Sequence, residues 1–184
     1  MTCVVGIEAG AGRVVLGADS ASVSGATVLR SATAKAFTAH GIGYACAGSW
    51  RLINILRHSF VPPEHPEDCA PDEYLVVHWT AALRAHLTDV GALKKNSEVH
   101  GTNGGQALIA YRGGLYMLDS DFQIARDLPG YMAAGAGRDY ALGSMATTAT
   151  LGLSAARRVA LALEAAAEHN YAVRGPMVVV EVGA

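Results

Sequence analysis

The sequence predicts an α+β fold: a four-layer αββα sandwich in which two mainly antiparallel sheets stack and helices cover both outer faces. Two observations support this prediction. Short apolar runs joined by tight turns open the chain, recur after residue 105 and close it. Blocks with apolar residues at helical spacing separate these runs. Long hairpin-linked runs favour antiparallel sheets over a repeated βαβ unit.

The first strand block begins with the apolar runs at residues 3–7 and 13–18. Residues 8–12 between them are predicted to be a turn because they carry two glycines, so the pair is predicted to be a hairpin. Further short strands are predicted at residues 28–29, 34–37 and 42–47.

Two helices follow, at residues 49–60 and 72–87, and a proline-rich stretch separates them. Residues 91–105 are polar and contain glycine, so they are predicted to form a loop. A second strand block spans residues 106–134, and two more helices are predicted at 138–147 and 154–169, the latter with Ser154 as N-cap. Residues 177–182 are predicted to be a final buried strand.

The composition limits the classes of protein to which the chain can belong. The 184 residues are 51% hydrophobic and 16% charged, against about 25% charged residues in an average globular protein, which excludes intrinsic disorder. One domain, residues 1–184, is predicted. With a net charge of −2, the sequence has no excess of basic residues that would indicate binding to nucleic acid or anionic lipid. With no membrane-length apolar run, no signal peptide and an odd number of cysteines, a cytoplasmic location is predicted.

Three residues of the first half could carry chemistry. Lys35 lies among small and apolar neighbours, where its pKa falls unless a carboxylate offsets the burial, or its ammonium group reaches water. Asp19 ends an apolar strand and could equally begin a turn. Thr2 follows Met1, and a small second residue allows removal of the methionine. Thr2 would then hold a hydroxyl nucleophile and an α-amine base in one residue.

Two glycine-containing turns precede predicted helices. Gly48 joins a strand to a helix, where backbone N–H groups can hold an oxyanion. The turn Gly135-Ala136-Gly137 lacks the third glycine of a dinucleotide loop, so no cofactor is predicted. No metal site is predicted either, because the spacing of His65, Cys69 and His78 fits no zinc pattern.

In this order and context, Thr2, Asp19, Lys35 and Gly48 resemble the N-terminal-nucleophile (Ntn) hydrolases of the proteasome β-subunit and HslV type. The short length and the threonine directly after Met1 resemble HslV more than a proteasome subunit with a long propeptide. The matching stretches run nearly end to end and are MTCVVGI, RVVLGADSASVSG, ATAKAF, YACAGSW, AAGAGRDYALG and MVVVEV.

The resemblance implies a role for each motif residue. Thr2 would be the nucleophile, Lys35 would lower its proton affinity, Asp19 would be the ion-pair partner of Lys35, and the amide of Gly48 would bind the oxyanion. A partly aromatic, uncharged pocket for an apolar side chain before the cleaved bond is also implied. Its residues would be Ser22, Thr33, Phe37, Cys46, Trp50 and Asn54.

Two residues depart from the family pattern. Ala136 stands where the family often has a serine that helps to hold the α-amine, and Asn170 stands where the family has an aspartate. Neither residue can supply the missing group, so both departures bear on proton transfer through the amine.

The resemblance implies a threonine endopeptidase that hydrolyses peptides or unfolded proteins inside a homo-oligomeric ring or stacked rings, with an ATP-dependent unfoldase or another activator as partner. Two alternatives remain open. The chain could be a non-catalytic shell or scaffold protein, as the departures at Ala136 and Asn170 suggest, or an Ntn amidohydrolase that acts on a small amide.

Overall fold

The computed structural model describes residues 2–93 and 105–183, so most of the predicted loop at 91–105 lies outside the described residues. Two main sheets form the centre of the fold, and every strand pair in them is antiparallel. The first sheet has the order β10-β1-β2-β11 and the second the order β5-β6-β7-β8-β9. A separate hairpin pairs β3 with β4.

The strands of the first sheet are β1 (Cys3–Gly10), β2 (Arg13–Ala18), β10 (Tyr131–Gly135) and β11 (Val178–Val182). Those of the second sheet are β5 (Ala36–Ala39), β6 (Ile42–Ala47), β7 (Gln106–Tyr111), β8 (Gly114–Leu118) and β9 (Ile124–Ala125). The separate hairpin consists of β3 (Ala21–Ser24) and β4 (Thr27–Arg30).

Helices lie between the strand blocks, as the sequence predicts. The first group comprises α1 (Trp50–His58), α2 (Pro71–Glu73), a π-helical turn (Tyr74–Trp79) and α3 (Thr80–Asp89). The second group comprises α4 (Arg138–Thr147), a 3-10 turn (Thr148–Thr150) and α5 (Ala155–His169).

Three apolar layers hold the two sheets and two helical layers together. One lies between the sheets and includes Val4, Leu16 and Leu108. The second packs α1, the π-helical turn and α3 onto the five-stranded sheet, and the third packs α4 and α5 onto the four-stranded sheet. Strand β1 contributes to two of these layers because successive side chains of a strand point to opposite faces of the sheet. Val4 faces the layer between the sheets, and Val5 faces the helices. The predicted four-layer αββα sandwich is confirmed.

Two predictions about which side chains are buried are wrong. Strand β11 is not fully buried. It is an edge strand, paired with β2, and its residue Val179 is 41% exposed. His78, predicted on the apolar face of the second helix, is exposed. The π-helical turn adds a residue to that turn and rotates the apolar face, so that Thr80 rather than His78 is buried beside Trp79. No helix among the described residues is long and apolar enough to cross a membrane.

The sheet register brings three strand termini together at one end of the four-stranded sheet. Cys3 pairs with Gly135, and Val4 pairs with Ala18. The start of β1, the end of β2 and the end of β10 therefore meet, which places Thr2 and Asp19 side by side.

Candidate active site

Thr2, Asp19 and Lys35 form one buried cluster. The Nζ atom of Lys35 donates to Thr2 Oγ1 at 2.9 Å and to Asp19 Oδ1 at 2.8 Å. The three residues are 4%, 0% and 2% exposed, respectively. A third donation, to the carbonyl of Ala21 at 2.6 Å, uses the remaining hydrogen of the ammonium group. The fully bonded ammonium group is thus aimed at the threonine hydroxyl.

The Asp19 carboxylate is held by backbone amides as well as by Lys35. Its Oδ1 atom accepts from Cys3 N at 3.0 Å, and its Oδ2 atom accepts from Ala21 N at 2.9 Å and from Arg174 N at 3.4 Å. A buried carboxylate is stable only with such partners, because burial removes its hydration. These bonds fix the carboxylate beside the residue that follows Thr2.

Lys35 lies one residue before β5, whereas the sequence predicts it within a strand at 34–37. Its carbonyl still accepts from Cys46 N at 3.0 Å, so the backbone continues the pairing with β6. Burial lowers the pKa of Lys35 from its usual value, and Asp19 opposes that shift by its charge and its hydrogen bond. Burial therefore disfavours the charged ammonium group, and the Asp19 carboxylate at 2.8 Å is what stabilises it.

The backbone of Thr2 is enclosed by the turn that follows β10. Gly137 N donates to the Thr2 carbonyl at 3.2 Å, and Gly137 is the N-cap of α4. Gly135 has a φ of +90°, and a Cβ at that position would lie 2.3 Å from the Thr2 carbonyl oxygen. Only glycine fits both the dihedral angle and the space. This close approach fixes the position of Thr2.

The two departures from the family pattern meet in this turn. Asn170, the C-cap of α5, donates its Nδ2 to the Ala136 carbonyl at 2.8 Å and accepts from Ala172 N at 3.0 Å. An ionised aspartate could not make the first bond because it has no hydrogen to donate. Asn170 therefore ties the end of α5 to the turn around Thr2. The side chain of Ala136 is exposed.

Gly48, the predicted oxyanion donor, lies between β6 and α1 with a φ of +90°. The next residue, Ser49, caps α1 by accepting from Leu52 N at 3.3 Å. The side chain of Ala47 lies 3.4 Å from the position that a Cβ on Gly135 would occupy. The turn that carries Gly48 is therefore adjacent to the turn that encloses Thr2.

The six predicted pocket residues have different environments. Trp50 Nε1 donates to Ser22 Oγ at 3.2 Å, and its ring centroid lies 5.9 Å from Lys35 Nζ. Thr33 and Asn54 are exposed. Phe37 and Cys46 are 6% and 0% exposed and belong to the core beneath α1. Trp50 and Ser22 thus adjoin the buried cluster, whereas Cys46 offers no surface to a substrate in this conformation.

Two arginines that the sequence analysis did not single out support these elements. Arg174 Nη1 donates to the carbonyls of Ala167, Asn170 and Val173, which closes the end of α5. Arg57, on α1, stacks its guanidinium on the ring of Phe37. The only available sequence signal was the position of Arg57 in the last turn of a predicted helix, where a cation is favourable.

The comparisons with known proteins agree with this architecture. No family model and no curated protein matches the chain. Among solved structures, Thiobacillus denitrificans BPH has a TM-score of 0.82 at 21% identity, with 99% of this chain and 98% of that chain covered. The same protein was also solved in complex with epoxomicin.

Two further structures cover the whole of this chain. HslV from Trypanosoma brucei has a TM-score of 0.72 at 14% identity and is itself covered in full. The Anbu (Gly-1) mutant from Hyphomicrobium sp. strain MC1 has a TM-score of 0.67 at 16% identity, with 82% of its chain covered. The chain has the proteasome-type Ntn-hydrolase fold. At these identities the likeness establishes the fold alone, so the chemistry has to follow from the side chains.

Within the Ntn-hydrolase fold, the described residues contain no group of three or more histidine, cysteine or acidic side chains that could hold a metal ion. Both imidazole nitrogens of His65 are engaged, with Tyr111 Oη at 2.8 Å and with the carbonyl of Cys69 at 2.8 Å. The buried Thr2, Asp19 and Lys35 cluster is therefore the strongest candidate for chemistry in the described part of the chain.

Proposed function

We propose that the chain is an N-terminal threonine endopeptidase that becomes active when Met1 is removed. The observation that carries this proposal is the 2.9 Å contact between Lys35 Nζ and Thr2 Oγ1, made by an ammonium group that Asp19 holds in place. A cation at that distance stabilises the negative charge that develops on the oxygen as it attacks. The free α-amine would be the base, as in other N-terminal threonine nucleophiles.

The reaction would run in two halves. Thr2 Oγ1 bonds to the peptide carbonyl carbon while its proton passes to the α-amine, and the amide of Gly48 stabilises the resulting oxyanion. The carbon–nitrogen bond then breaks, and the leaving amine takes the proton from the α-ammonium group. Water attacks the ester that remains and gives its proton to the α-amine. The ester bond breaks, and Oγ1 recovers its proton.

Peptides and unfolded proteins are the proposed substrates. Support comes from the fold shared with T. denitrificans BPH, which was solved with epoxomicin, and with HslV. We extend to this chain a homo-oligomeric ring or stacked rings in the cytoplasm, with an ATP-dependent unfoldase as partner. Self-association is supported by large apolar side chains that are at least half exposed, namely Leu29, Val61, Val76, Val77, Leu128, Leu151 and Tyr171.

The test is hydrolysis of fluorogenic peptides by protein whose intact mass shows that Met1 is absent. Thr2→Ala should abolish turnover, and Thr2→Ser should retain part of it because the hydroxyl remains. Light scattering should show a ring-sized particle for both variants. Equal turnover by the wild type and Thr2→Ala would refute the proposal.

One observation favours a second candidate, a non-catalytic shell or scaffold protein. Ala136 brings no hydroxyl to the turn that encloses Thr2, and Asn170 is committed to backbone bonds there. This candidate predicts rings with no peptide turnover and no binding of epoxomicin. A small-amide substrate is the remaining alternative, and a substrate screen separates it from peptide hydrolysis.

A further inference from the structure

One face of α1 continues the predicted pocket beyond its six residues. Trp50 and Asn54 are four residues apart, and Arg57 follows three residues later. Side chains at this spacing lie above one another on one side of a helix. Trp50 is joined to Ser22 by a hydrogen bond of 3.2 Å. Arg57 therefore lies one turn farther along the same wall.

The guanidinium of Arg57 contacts two segments of the predicted pocket. Its Cζ atom lies 4.1 Å from the centroid of the Phe37 ring. Its Nη2 atom donates to the carbonyl of Ala34, the residue that links Thr33 to Lys35. These contacts hold the cation over the ring of Phe37 and against the segment that carries Thr33 and Lys35.

The charge of Arg57 lacks an acidic partner among the described residues, where the five ion pairs involve other cations. Its Nε atom is buried without a hydrogen-bond partner in the same part of the chain. Burial lowers the pKa of Arg57 from its usual value, yet a guanidinium stays charged at physiological pH. Lys35 differs, because Asp19 neutralises it at 2.8 Å. Arg57 is thus a cation without an acidic partner among the described residues, and it is bonded to the residue that precedes Lys35.

We propose that Arg57 gives the protein a preference for substrates with an acidic side chain immediately before the cleaved bond. A guanidinium binds a carboxylate through two charge-assisted hydrogen bonds, which a neutral side chain of the same shape cannot reproduce. The side chain of Arg57 is partly exposed, so a substrate group can reach it. This inference rests on the proposed function, since it assigns the substrate class of the same site.

The test measures binding separately from turnover. In the Thr2→Ala background, fluorescence anisotropy would compare labelled peptides that differ only in a last residue of Glu, Gln or Leu. The Glu peptide should bind about tenfold more tightly than the Gln peptide, and this ratio should fall towards one in Arg57→Met. Arg51→Met is the matched control, since Arg51 is an exposed arginine of α1 that donates to the carbonyl of Val90. The Arg51→Met variant should leave the Glu-to-Gln affinity ratio unchanged.

The outcomes separate this inference from the proposed function. Equal binding of the Glu and Gln peptides, no binding of either, or an unchanged ratio in Arg57→Met would overturn the inference. The Glu-to-Gln affinity ratio in the Thr2→Ala background is measured whether or not Arg57→Met folds, so equal binding of the two peptides overturns the inference in either case. Acid-selective binding without turnover by Met1-free wild type would contradict only the proposed function. Turnover without acid preference would contradict only the role of Arg57.

Discussion

The Lys35 ammonium lies 2.9 Å from Thr2 Oγ1, although 33 residues separate the two positions in the chain. Asp19 makes this contact possible, because a lysine that is 2% exposed needs a carboxylate to offset the loss of water. The strand ends that carry Thr2 and Asp19 are fixed by the register of the four-stranded sheet. The chemistry of the site therefore depends directly on the pairing of its strands.

The activity should decrease at alkaline pH. Burial lowers the pKa of Lys35 below its ordinary value of 10.5, and only the charged form stabilises the negative charge that develops on Thr2 Oγ1. The value of kcat/KM should therefore fall as the pH rises through that lowered pKa, in a range below 10.5. Lys35→Arg stays charged and should lose this alkaline limb, even if its maximal rate is lower. Wild-type activity that keeps rising up to pH 10.5 would contradict the assigned role of Lys35.

Asn170→Asp should destabilise the protein, although the resemblance to the Ntn hydrolases implies an aspartate at this position. The carboxylate would face the Ala136 carbonyl without a hydrogen to donate, whereas the Asn170 amide donates at 2.8 Å. The expected loss in the free energy of unfolding is about 1–2 kcal/mol, measured by urea denaturation. Asn54→Asp on the exposed face of α1 is the control, with a change within about 0.5 kcal/mol. Equal stability of the two variants would show that the Asn170 bond contributes nothing.

Ala136→Ser should raise kcat without changing stability. Ala136 is exposed, so an added hydroxyl needs no repacking, and the free energy of unfolding should stay within about 0.5 kcal/mol. The hydroxyl would lie in the turn that encloses Thr2, where it can help to hold the α-amine. A rise in kcat of about tenfold is expected, a small part of what a positioned proton-transfer group contributes. Ala136→Val adds bulk without the hydroxyl, and an equal rise in that variant would refute this explanation.

Gly135→Ala should damage both stability and activity. The added Cβ would lie 2.3 Å from the Thr2 carbonyl oxygen at a φ of +90°, so the turn or the nucleophile must move. We expect a loss of more than about 2 kcal/mol in the free energy of unfolding, together with loss of peptide turnover. Gly143→Ala is the matched control, since a Cβ there meets nothing within 4 Å in the middle of α4. It should gain about 0.5–1 kcal/mol, and a similar gain for Gly135→Ala would contradict the geometry.

The layered architecture and the buried cluster were predictable because they rest on local patterns. Continuous apolar runs in β1 and β2 and helical spacing in α1 and α5 identify the elements. Lys35 stood out as a lysine within an apolar stretch, and Asp19 as an acid at the end of a buried strand. The resemblance to a known family linked these residues with Thr2.

The features that sequence reasoning missed depend on contacts between distant segments. The stacking of Arg57 on Phe37 requires the packing of α1 on β5, which no local pattern encodes. The π-helical turn that exposes His78 has the same apolar composition as an α-helix. The exposure of β11 depends on its position as an edge strand of the four-stranded sheet. Its run of valines indicates a strand without indicating the position of that strand.

The central claim is that the hydroxyl of Thr2 is the nucleophile once Met1 is removed. The most direct measurement is tandem mass spectrometry of the protein after incubation with a peptide electrophile that reacts with hydroxyl groups. The account predicts a single adduct on Thr2 in Met1-free molecules, with none in Thr2→Ala and less in Lys35→Met. An adduct on another residue, or equal labelling of Thr2→Ala, would contradict it.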